Sequence, residues 1–352
     1  MTNNLKEALY TQVPLRFKDD GKFKILMISD IHGGIGYAAE KTVTALQALI
    51  DEHKPNLVLL GGDIAGPGFI TVKNEEHLRH LLDTLSSPME KAGIPWAHVF
   101  GNHDDNGGMS NEEQQPIYES YPHCVSKAGP KNISGVGNYV LPIYDAKGEK
   151  ILFNVFGFDS HKSDPDMKKD FGLPEETNFY HMIPCSDGDY DGVRFDQVMW
   201  YYQTSVEMEE YNGTKIPALA YMHIPVPEMG FGATDRKHFK YAGMQGENVA
   251  PSIINFGMFG AALQRGDIKA MCFGHDHLND FRMEYAGIEL SYDAFLSYHA
   301  CHEDHRRGGR IFEIDASDPW KIKSYMVLVR DVLGEAGDSK EWLTNQRINF
   351  KE

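Results

Sequence analysis

Five short apolar segments of this sequence, each of a length typical of one buried β-strand, end in Asp, Asn or His. Residues like these, large or β-branched and bounded by Gly or polar positions, are typical of buried strands. The segments are KFKILMIS (22–29), PNLVLLGGD (55–63), IPWAHVFGNHD (94–104), IPALAYMHIP (216–225) and DIKAMCFGHDH (267–277). The fold must therefore gather these polar strand ends where they can be solvated or can bind something.

Helical periodicity fills the gaps between the first three strands, at residues 38–53 and 74–85. This β-α-β-α-β alternation predicts a largely parallel sheet. Further along, hairpins are predicted over 138–160 and 280–293, and helices over 191–213 and 252–266. Residues 158–193 are predicted to form a long surface loop.

No change of composition marks a domain boundary, so we expect a single domain over residues 1–352. Its core motifs occupy residues 24–300, and late strands within 309–330 complete a sheet. The expected fold class is α/β, a four-layer α/β/β/α sandwich of two mixed β-sheets flanked by helices.

Composition limits the partners of the chain. The 352 residues are 41% hydrophobic, which is enough for a buried core, and the net charge is −17. That charge repels polyanions, so duplex nucleic acid is not expected as a partner, whereas a cationic centre can still bind a small phosphorylated substrate. No segment approaches the roughly 20 apolar residues that span a bilayer, so no membrane partner is expected.

The N-terminal residues contain no apolar signal segment before the first strand. As given, the sequence predicts a cytoplasmic protein, or an extracellular or periplasmic one if a signal peptide was removed. Widely spaced cysteines without a C-x-x-C pattern are predicted to be free thiols. They are Cys124, Cys185, Cys272 and Cys301.

The strand ends carry side chains that bind metals. Residues at i and i+2 of an extended segment point to one side, so Asp30 with His32, and His275 with His277, can each supply two ligands to one place. Nitrogen and oxygen donors without thiolates suit Zn, Mn, Fe or mixed ions. The seven candidates exceed the needs of one tetrahedral ion and fit two ions. They are Asp30, His32, Asp63, Asn102, His223, His275 and His277.

In order, these blocks read D-x-H, G-D, G-N-H-D, H and G-H-x-H between residues 30 and 277. This ordered set resembles the calcineurin-like metallophosphoesterase superfamily. HIPVPEM (223–229), FDQVMWY (195–201), GHDHLND (274–280) and RGGR (307–310) further resemble the branch related to purple acid phosphatases. One departure is Gly66, which stands where purple enzymes have a tyrosine ligand, so a tyrosinate–iron centre is not expected.

The resemblance implies an enzyme that hydrolyses a phosphate monoester or diester with a metal-bound hydroxide. One ion would take Asp30, His32, Asp63 and His277, and the other would take Asp63, Asn102, His223 and His275. Asp63 would bridge the two ions. His103 would protonate the leaving oxygen, and Asp104 would hold the His103 ring in its tautomer. Asn102 and His103 would also contact the substrate.

Two other functions remain open at this point: a nucleotide phosphodiesterase or nuclease, and a metal-binding module of the same fold without turnover. The motif YHACHEDH, with His299, His302 and His305, is interpreted as a loop at the lip of the site. Arg306, Arg307 and Arg310 either bind phosphate or form a basic turn, and the turn is slightly favoured.

Overall fold

The computed structural model describes residues 2–33, 37–66, 72–177, 190–234, 239–298 and 306–334. The strands within these ranges are β1 (Leu15–Arg16), β2 (Lys22–Ile28), β3 (Leu57–Leu60), β4 (Trp96–His98), β5 (Tyr139–Tyr144), β6 (Ile151–Gly157), β7 (Ala218–Met222), β8 (Lys240–Ala242), β9 (Ile268–Phe273), β10 (Arg282–Tyr285), β11 (Ile288–Tyr292), β12 (Gly308–Asp315) and β13 (Ile322–Leu328). The helices are α1 (Asn3–Leu9), α2 (Tyr37–His53), α3 (Glu75–Leu85), α4 (Ser87–Ala92), α5 (Asn111–Glu119), α6 (Asp164–Asp170), α7 (Phe195–Asn212), α8 (Glu228–Thr234), α9 (Met258–Arg265) and α10 (Val329–Leu333).

A five-stranded sheet has the order β13-β12-β2-β3-β4. Strands β2, β3 and β4 are parallel, as the alternation of strands and helices predicted. The late strands β12 and β13 join this sheet in antiparallel orientation, because β12 pairs along the free edge of β2. The two late strands thus make this a mixed sheet.

An eight-stranded sheet has the order β1-β5-β6-β7-β9-β11-β10-β8. Its centre, from β6 through β7 and β9 to β11, is parallel. The two predicted hairpins, β5–β6 and β10–β11, are present and antiparallel. In this sheet β7 and β9 lie side by side, so the segments that follow them emerge next to each other.

Three apolar clusters separate four layers. One lies between the two sheets, the second packs the eight-stranded sheet against α1, α7 and α9, and the third packs the five-stranded sheet against α2 to α5 and α10. Strand β2 shows the underlying period of two: Phe23 and Ile25 belong to the cluster between the sheets, whereas Leu26 and Ile28 face the helices. Both faces are buried, which explains why the run is apolar almost throughout. The four-layer α/β/β/α prediction is confirmed.

Two predicted elements differ from the structure. The helix predicted over 252–266 begins only at Met258, because Gly257 has a left-handed φ of 94° and the N–H groups of Ser252 and Ile253 bind carbonyls elsewhere in the chain. The predicted loop over 158–193 contains α6, and its residues 178–189 lie outside the described part. Within the described ranges, no helix has the length and apolar character that crossing a membrane requires.

Candidate metal centre

The candidate ligands lie in loops that follow five strands. Asp30 and His32 follow β2, Asp63 follows β3, Asn102 follows β4, His223 follows β7, and the pair His275 and His277 follows β9. Three of these strands belong to the five-stranded sheet and two to the eight-stranded sheet. The site is therefore built where the carboxyl ends of strands from both sheets meet, which is where ligands bind in many α/β folds.

Hydrogen bonds between side chains and the backbone hold these loops together across the two sheets. Nδ1 of His223 lies 2.9 Å from the carbonyl oxygen of Gly61, and the N–H of His275 donates to Oδ2 of Asp30 at 3.0 Å. Within the five-stranded sheet, the N–H of His103 donates to Oδ1 of Asp63 at 2.8 Å. Because Nδ1 of His223 donates to a carbonyl, its Nε2 is left as a lone-pair donor for a metal.

Side-chain atoms of five of the seven candidate ligands come together, namely Asp30, His32, Asp63, His223 and His277. Nε2 of His277 lies 3.2 Å from Oδ1 of Asp30 and 3.1 Å from Nε2 of His32. Nε2 of His223 lies 3.2 Å from Oδ2 of Asp63 and 3.9 Å from Oδ1 of Asp30. Two groups of ligand atoms each lie within 4.8 Å of one another: Asp30, His32 and His277, and Asp30, Asp63 and His223. The rings of His223 and His275 are 5.2 Å apart.

Four buried ligand atoms make no hydrogen bond within the described part of the chain. They are Oδ1 of Asp30, Oδ1 of Asn102, Nε2 of His223 and Nε2 of His275. Buried polar atoms without a partner are rare and costly in native proteins, so each of these atoms needs another explanation. A buried set of imidazole, carboxylate and amide groups that lack thiolates fits divalent metal ions.

The pKa shifts of the candidate ligands also indicate that the cluster needs a positive charge. Burial alone would raise the pKa of Asp30, but His277 and His223 lower it below its ordinary value. The same balance, with His223 as the main partner, lowers the pKa of Asp63 to about 2. Burial would lower the pKa of His223, but Asp63 and Asp30 raise it to about 10. Without an ion, His223 thus carries the positive charge that two adjacent buried carboxylates require.

Backbone strain is concentrated at the same residues. Eight non-glycine residues in the described ranges have a positive φ, and half of them are candidate ligands. Their φ angles are 52° for Asp30, 45° for His32, 51° for Asp63 and 75° for His275. Left-handed conformations of non-glycine residues are uncommon and cluster at functional sites, where the surrounding structure compensates for the strain.

Each carboxylate uses one oxygen for hydrogen bonds and leaves the other facing imidazoles. Oδ2 of Asp30 accepts from Ser29 and His275, and Oδ1 of Asp63 accepts from His103. Asp63 is the residue expected to bridge the two ions. The structure leaves Oδ2 as the oxygen that faces imidazoles, 3.8 Å from Nε2 of His32 and 3.2 Å from that of His223.

The prediction that Asp104 orients His103 is wrong. Oδ1 of Asp104 accepts from the N–H groups of Ile64 and Ala65, and Oδ2 accepts from those of Asp63 and Gly101. Burial and the Asp63 carboxylate raise the pKa of Asp104, and these N–H groups oppose the rise. Asp104 therefore ties the loop after β3 to the loop after β4.

The residue that contacts the His103 ring is Asn106. Its Nδ2 lies 2.7 Å from Nδ1 of His103. This hydrogen bond, with the amide as donor, places the ring proton on Nε2. Sequence reasoning missed Asn106, although a polar residue three positions beyond a histidine in the same loop is a local signal that can be sought.

Gly66 leaves room for His32. A Cβ atom built on Gly66 would lie 2.3 Å from Nδ1 of His32 and 3.0 Å from its Cγ. No side chain, and hence no tyrosine ligand, fits at this position while His32 keeps its place. The absence of a side chain at residue 66 therefore makes room for the His32 ring.

Other predictions for the surroundings can be checked. Arg307 and Arg310 are buried and donate to the carbonyl oxygens of Ser297, Tyr292 and Asp280. Arg310 lies within β12 and Arg307 immediately before it, so the predicted basic turn is wrong for them. The half-buried Arg306 donates to the carbonyl oxygen of Leu278. Cys124 and Cys272 are buried free thiols. The remaining cysteines and the histidines of YHACHEDH lie outside the described residues; they are Cys185, Cys301, His299, His302 and His305.

Comparison with known proteins agrees with this site. The chain is 30% identical over 316 residues to "Probable inactive purple acid phosphatase 14" of Arabidopsis thaliana, which covers 81% of this chain and 73% of the relative. It is 29% identical over 296 residues to "Phosphatase DCR2" of Saccharomyces cerevisiae, covering 76% of this chain and 46% of the relative. A dimetal phosphatase from Danio rerio has a similar fold, with a TM-score of 0.53, 14% identity, and coverage of 87% of this chain and 99% of that chain.

The family model described as calcineurin-like phosphoesterase matches residues 23–279, from the first residues of β2 to just beyond His277. This match spans all seven candidate ligands and well over half of the chain. The protein therefore belongs to the calcineurin-like phosphoesterase family.

Proposed function

We propose that this protein hydrolyses a phosphate ester with the help of two divalent metal ions. One observation carries the proposal: carboxylate oxygens and imidazole nitrogens from the loops after four separate strands converge, and two of these buried atoms, Oδ1 of Asp30 and Nε2 of His223, have no hydrogen-bond partner among the described residues. The loops that carry these groups come from both sheets. Stability alone does not account for such an arrangement, whereas metal binding does.

The proposed ligands divide into two sets. Asp30, His32, Asp63 and His277 hold one ion, and Asp63, Asn102, His223 and His275 hold the other. Oδ2 of Asp63 faces one imidazole of each set, which supports Asp63 as the bridge. When bound, such a pair of ions lowers the pKa of water between them and polarises phosphoryl oxygens. The ion identities proposed are Zn, Mn, Fe or a mixture, because the donors are nitrogen and oxygen.

His103 is the proposed acid. With Nδ1 accepting from Asn106, Nε2 carries the proton that the departing alkoxide needs. The His103 ring is 5.6 Å from that of His32, so it lies beside the ligand cluster. His103 and Asn102 are also the proposed contacts to the phosphate. Asp104 is assigned the supporting role of fixing the two loops that carry them.

The proposed substrate is a small phosphorylated molecule. The net charge of −17 disfavours long polyanions but not a monoester, a diester or a nucleotide. A nucleotide phosphodiesterase therefore remains the alternative within the enzyme class. The word phosphatase in the name of the yeast relative favours a phosphomonoester.

A second candidate is a metal-binding module without turnover. The Arabidopsis relatives carry the words "probable inactive" in their names, which favours this candidate. The present chain nevertheless has all seven ligands and His103, and a module without catalysis does not need His103. For this reason the enzyme is the preferred proposal.

Metal content and turnover, measured on one sample, separate the two candidates. The protein is stripped with EDTA and reloaded with Mn²⁺ or Zn²⁺. It is then assayed with p-nitrophenyl phosphate and bis-p-nitrophenyl phosphate. We expect two ions per chain, and hydrolysis that EDTA abolishes. Two bound ions without turnover of any phosphoester in a broad screen would instead support the binding module, and failure to bind ions would refute both.

A further inference from the structure

Beneath the candidate metal centre lies a buried polar pair that the proposed mechanism does not use. Ser29 follows β2 and immediately precedes Asp30, and Asp293 follows β11; both are 0% exposed. The Ser29 hydroxyl lies within hydrogen-bond distance of Oδ2 of Asp30 and is 2.8 Å from Oδ1 of Asp293. The pair therefore connects the eight-stranded sheet to a ligand carried by the five-stranded sheet.

The backbone fixes both members of the pair. The N–H of Asp293 donates to the carbonyl oxygen of Phe273, the last residue of β9, at 3.1 Å. The carbonyl oxygen of Ser29 accepts from the N–H of Leu296 at 3.2 Å. A Cβ atom on Gly274 would lie 2.6 Å from the Ser29 hydroxyl oxygen, so the backbone also crowds this side chain. The main chain of both residues is therefore held by its neighbours in the two sheets.

Asp30 depends on this pair for its orientation. Its Oδ2 is held by the Ser29 hydroxyl and by the N–H of His275. Its Oδ1, the unpartnered atom, then faces His277 at 3.2 Å. Without the hydroxyl, one backbone N–H remains to resist rotation of the carboxylate.

We propose that Ser29 and Asp293 are positioning residues that hold the Asp30 carboxylate with Oδ1 toward the metals. This inference rests on the proposed function, since it assumes that Asp30 is a metal ligand. Groups that orient a ligand in this way commonly change metal affinity by about 10- to 100-fold when removed.

The number of protons available to the Ser29 hydroxyl defines the role of Asp293 in this hydrogen-bonded pair. The single Ser29 proton has three oxygen neighbours, on Asp30, Asp293 and the carbonyl of Ala294 at 3.2 Å. When that proton is donated to Asp30, the 2.8 Å contact between Ser29 and Asp293 is a hydrogen bond only if the Asp293 carboxyl is protonated and donates to the hydroxyl oxygen. An asparagine at position 293 can make the same donation through its amide, whereas a leucine of similar size cannot.

The test measures Zn²⁺ affinity of the full chain by calorimetry, together with the thermal midpoint of the metal-free protein. Ser29→Ala should weaken Zn²⁺ binding by about 10- to 100-fold. Asp293→Asn should bind Zn²⁺ much as the unmodified protein does, and Asp293→Leu should resemble Ser29→Ala. Because the asparagine variant preserves shape and hydrogen bonding, it reports on positioning even if the leucine variant folds poorly.

A matched control lies at the opposite end of β9 from Phe273, the residue whose carbonyl oxygen accepts from Asp293. Ser205 donates to Asp267, which is fully buried and immediately precedes β9. Ser205→Ala removes the same kind of buried hydrogen bond far from the ligands. It should lower the thermal midpoint without changing Zn²⁺ affinity.

Three outcomes would overturn the inference: unchanged affinity in Ser29→Ala, an equal loss in Ser205→Ala, or a loss in Asp293→Asn as large as that in Ser29→Ala. If the unmodified protein binds two ions while Ser29→Ala binds them equally well, only the positioning role is refuted. If the unmodified protein binds none, the proposed function is refuted as well.

Discussion

A single added methyl group at position 66 tests whether the site requires His32 where the structure places it. In Gly66→Ala the new Cβ would lie 2.3 Å from Nδ1 of His32, whereas ordinary contact begins near 3.4 Å. The ring must therefore retreat by about 1.1 Å, the difference between these distances. Gly66 has no left-handed φ, so the cost of the substitution is steric.

His32 has little room for that retreat. It is 4% exposed, and its Nε2 lies 3.1 Å from that of His277 and 3.8 Å from Oδ2 of Asp63. A misplacement of about 1 Å at a catalytic centre can cost about 100-fold in rate. We therefore expect Gly66→Ala to lose about 100-fold in kcat/KM with p-nitrophenyl phosphate, and to bind the ion at His32 more weakly.

The assay compares kcat/KM and Zn²⁺ stoichiometry in Gly66→Ala and in Gly260→Ala. Gly260 lies in α9, is exposed, and has no atom within 4 Å of the added Cβ. Its substitution should leave activity unchanged and slightly stabilise the helix, since Gly is less favourable than Ala by about 1 kcal/mol. Wild-type rate and metal content in Gly66→Ala would refute the argument that this glycine makes room for a ligand.

Three further predictions concern other parts of the site and the core. Asp63→Asn should reduce Zn²⁺ affinity by more than about 100-fold, which is the upper end of the range for loss of a residue that only orients a ligand. Binding of two ions at wild-type affinity, measured by calorimetry, would contradict the bridging role. His103→Ala should keep its metals. In rate assays it should lose more activity with substrates that have poor leaving groups, such as alkyl phosphates, than with nitrophenyl phosphate. An equal loss on both kinds of substrate would argue against proton donation. Burial lowers the pKa of His98 to about 3 from an ordinary 6.5, so the unfolded chain takes up a proton below about pH 6.5 that the folded chain excludes. The free energy of unfolding should therefore decrease as the pH is lowered from about 6.5 to 3. When this free energy is measured by urea titration at a series of pH values, its slope against pH should be smaller in His98→Phe by up to about 1.4 kcal/mol per pH unit.

Local sequence predicted the central strands well because strands such as β3 and β7 are buried on both faces and therefore consist almost entirely of apolar residues. Strand β2 (Lys22–Ile28) and strand β9 (Ile268–Phe273) lie within their predicted segments. The helix predicted to start at residue 252 failed, because tertiary hydrogen bonds from Ser252 and Ile253 replace helical ones. Periodicity does not report which backbone groups have partners elsewhere in the chain.

The candidate ligands were predictable for a different reason. Each block is local, and the loops after buried strands tend to share one edge of a fold, so motifs such as D-x-H and G-H-x-H can be read in order. The order of blocks does not reveal the contacts around them. Asp104 follows His103 directly, yet its carboxylate binds four backbone N–H groups and not the imidazole.

The sequence by itself determined the alternation of strands and helices, the two hairpins, and the identities of the groups at the strand ends, because these depend on neighbours in the chain. Tertiary structure alone decided how the groups are held. Asp293 reaches Ser29 across 264 positions of sequence, and Gly66 makes room for His32 by a close approach of the backbone. Such contacts depend on how the two sheets and their loops pack, and a local sequence pattern does not specify which distant residues come together.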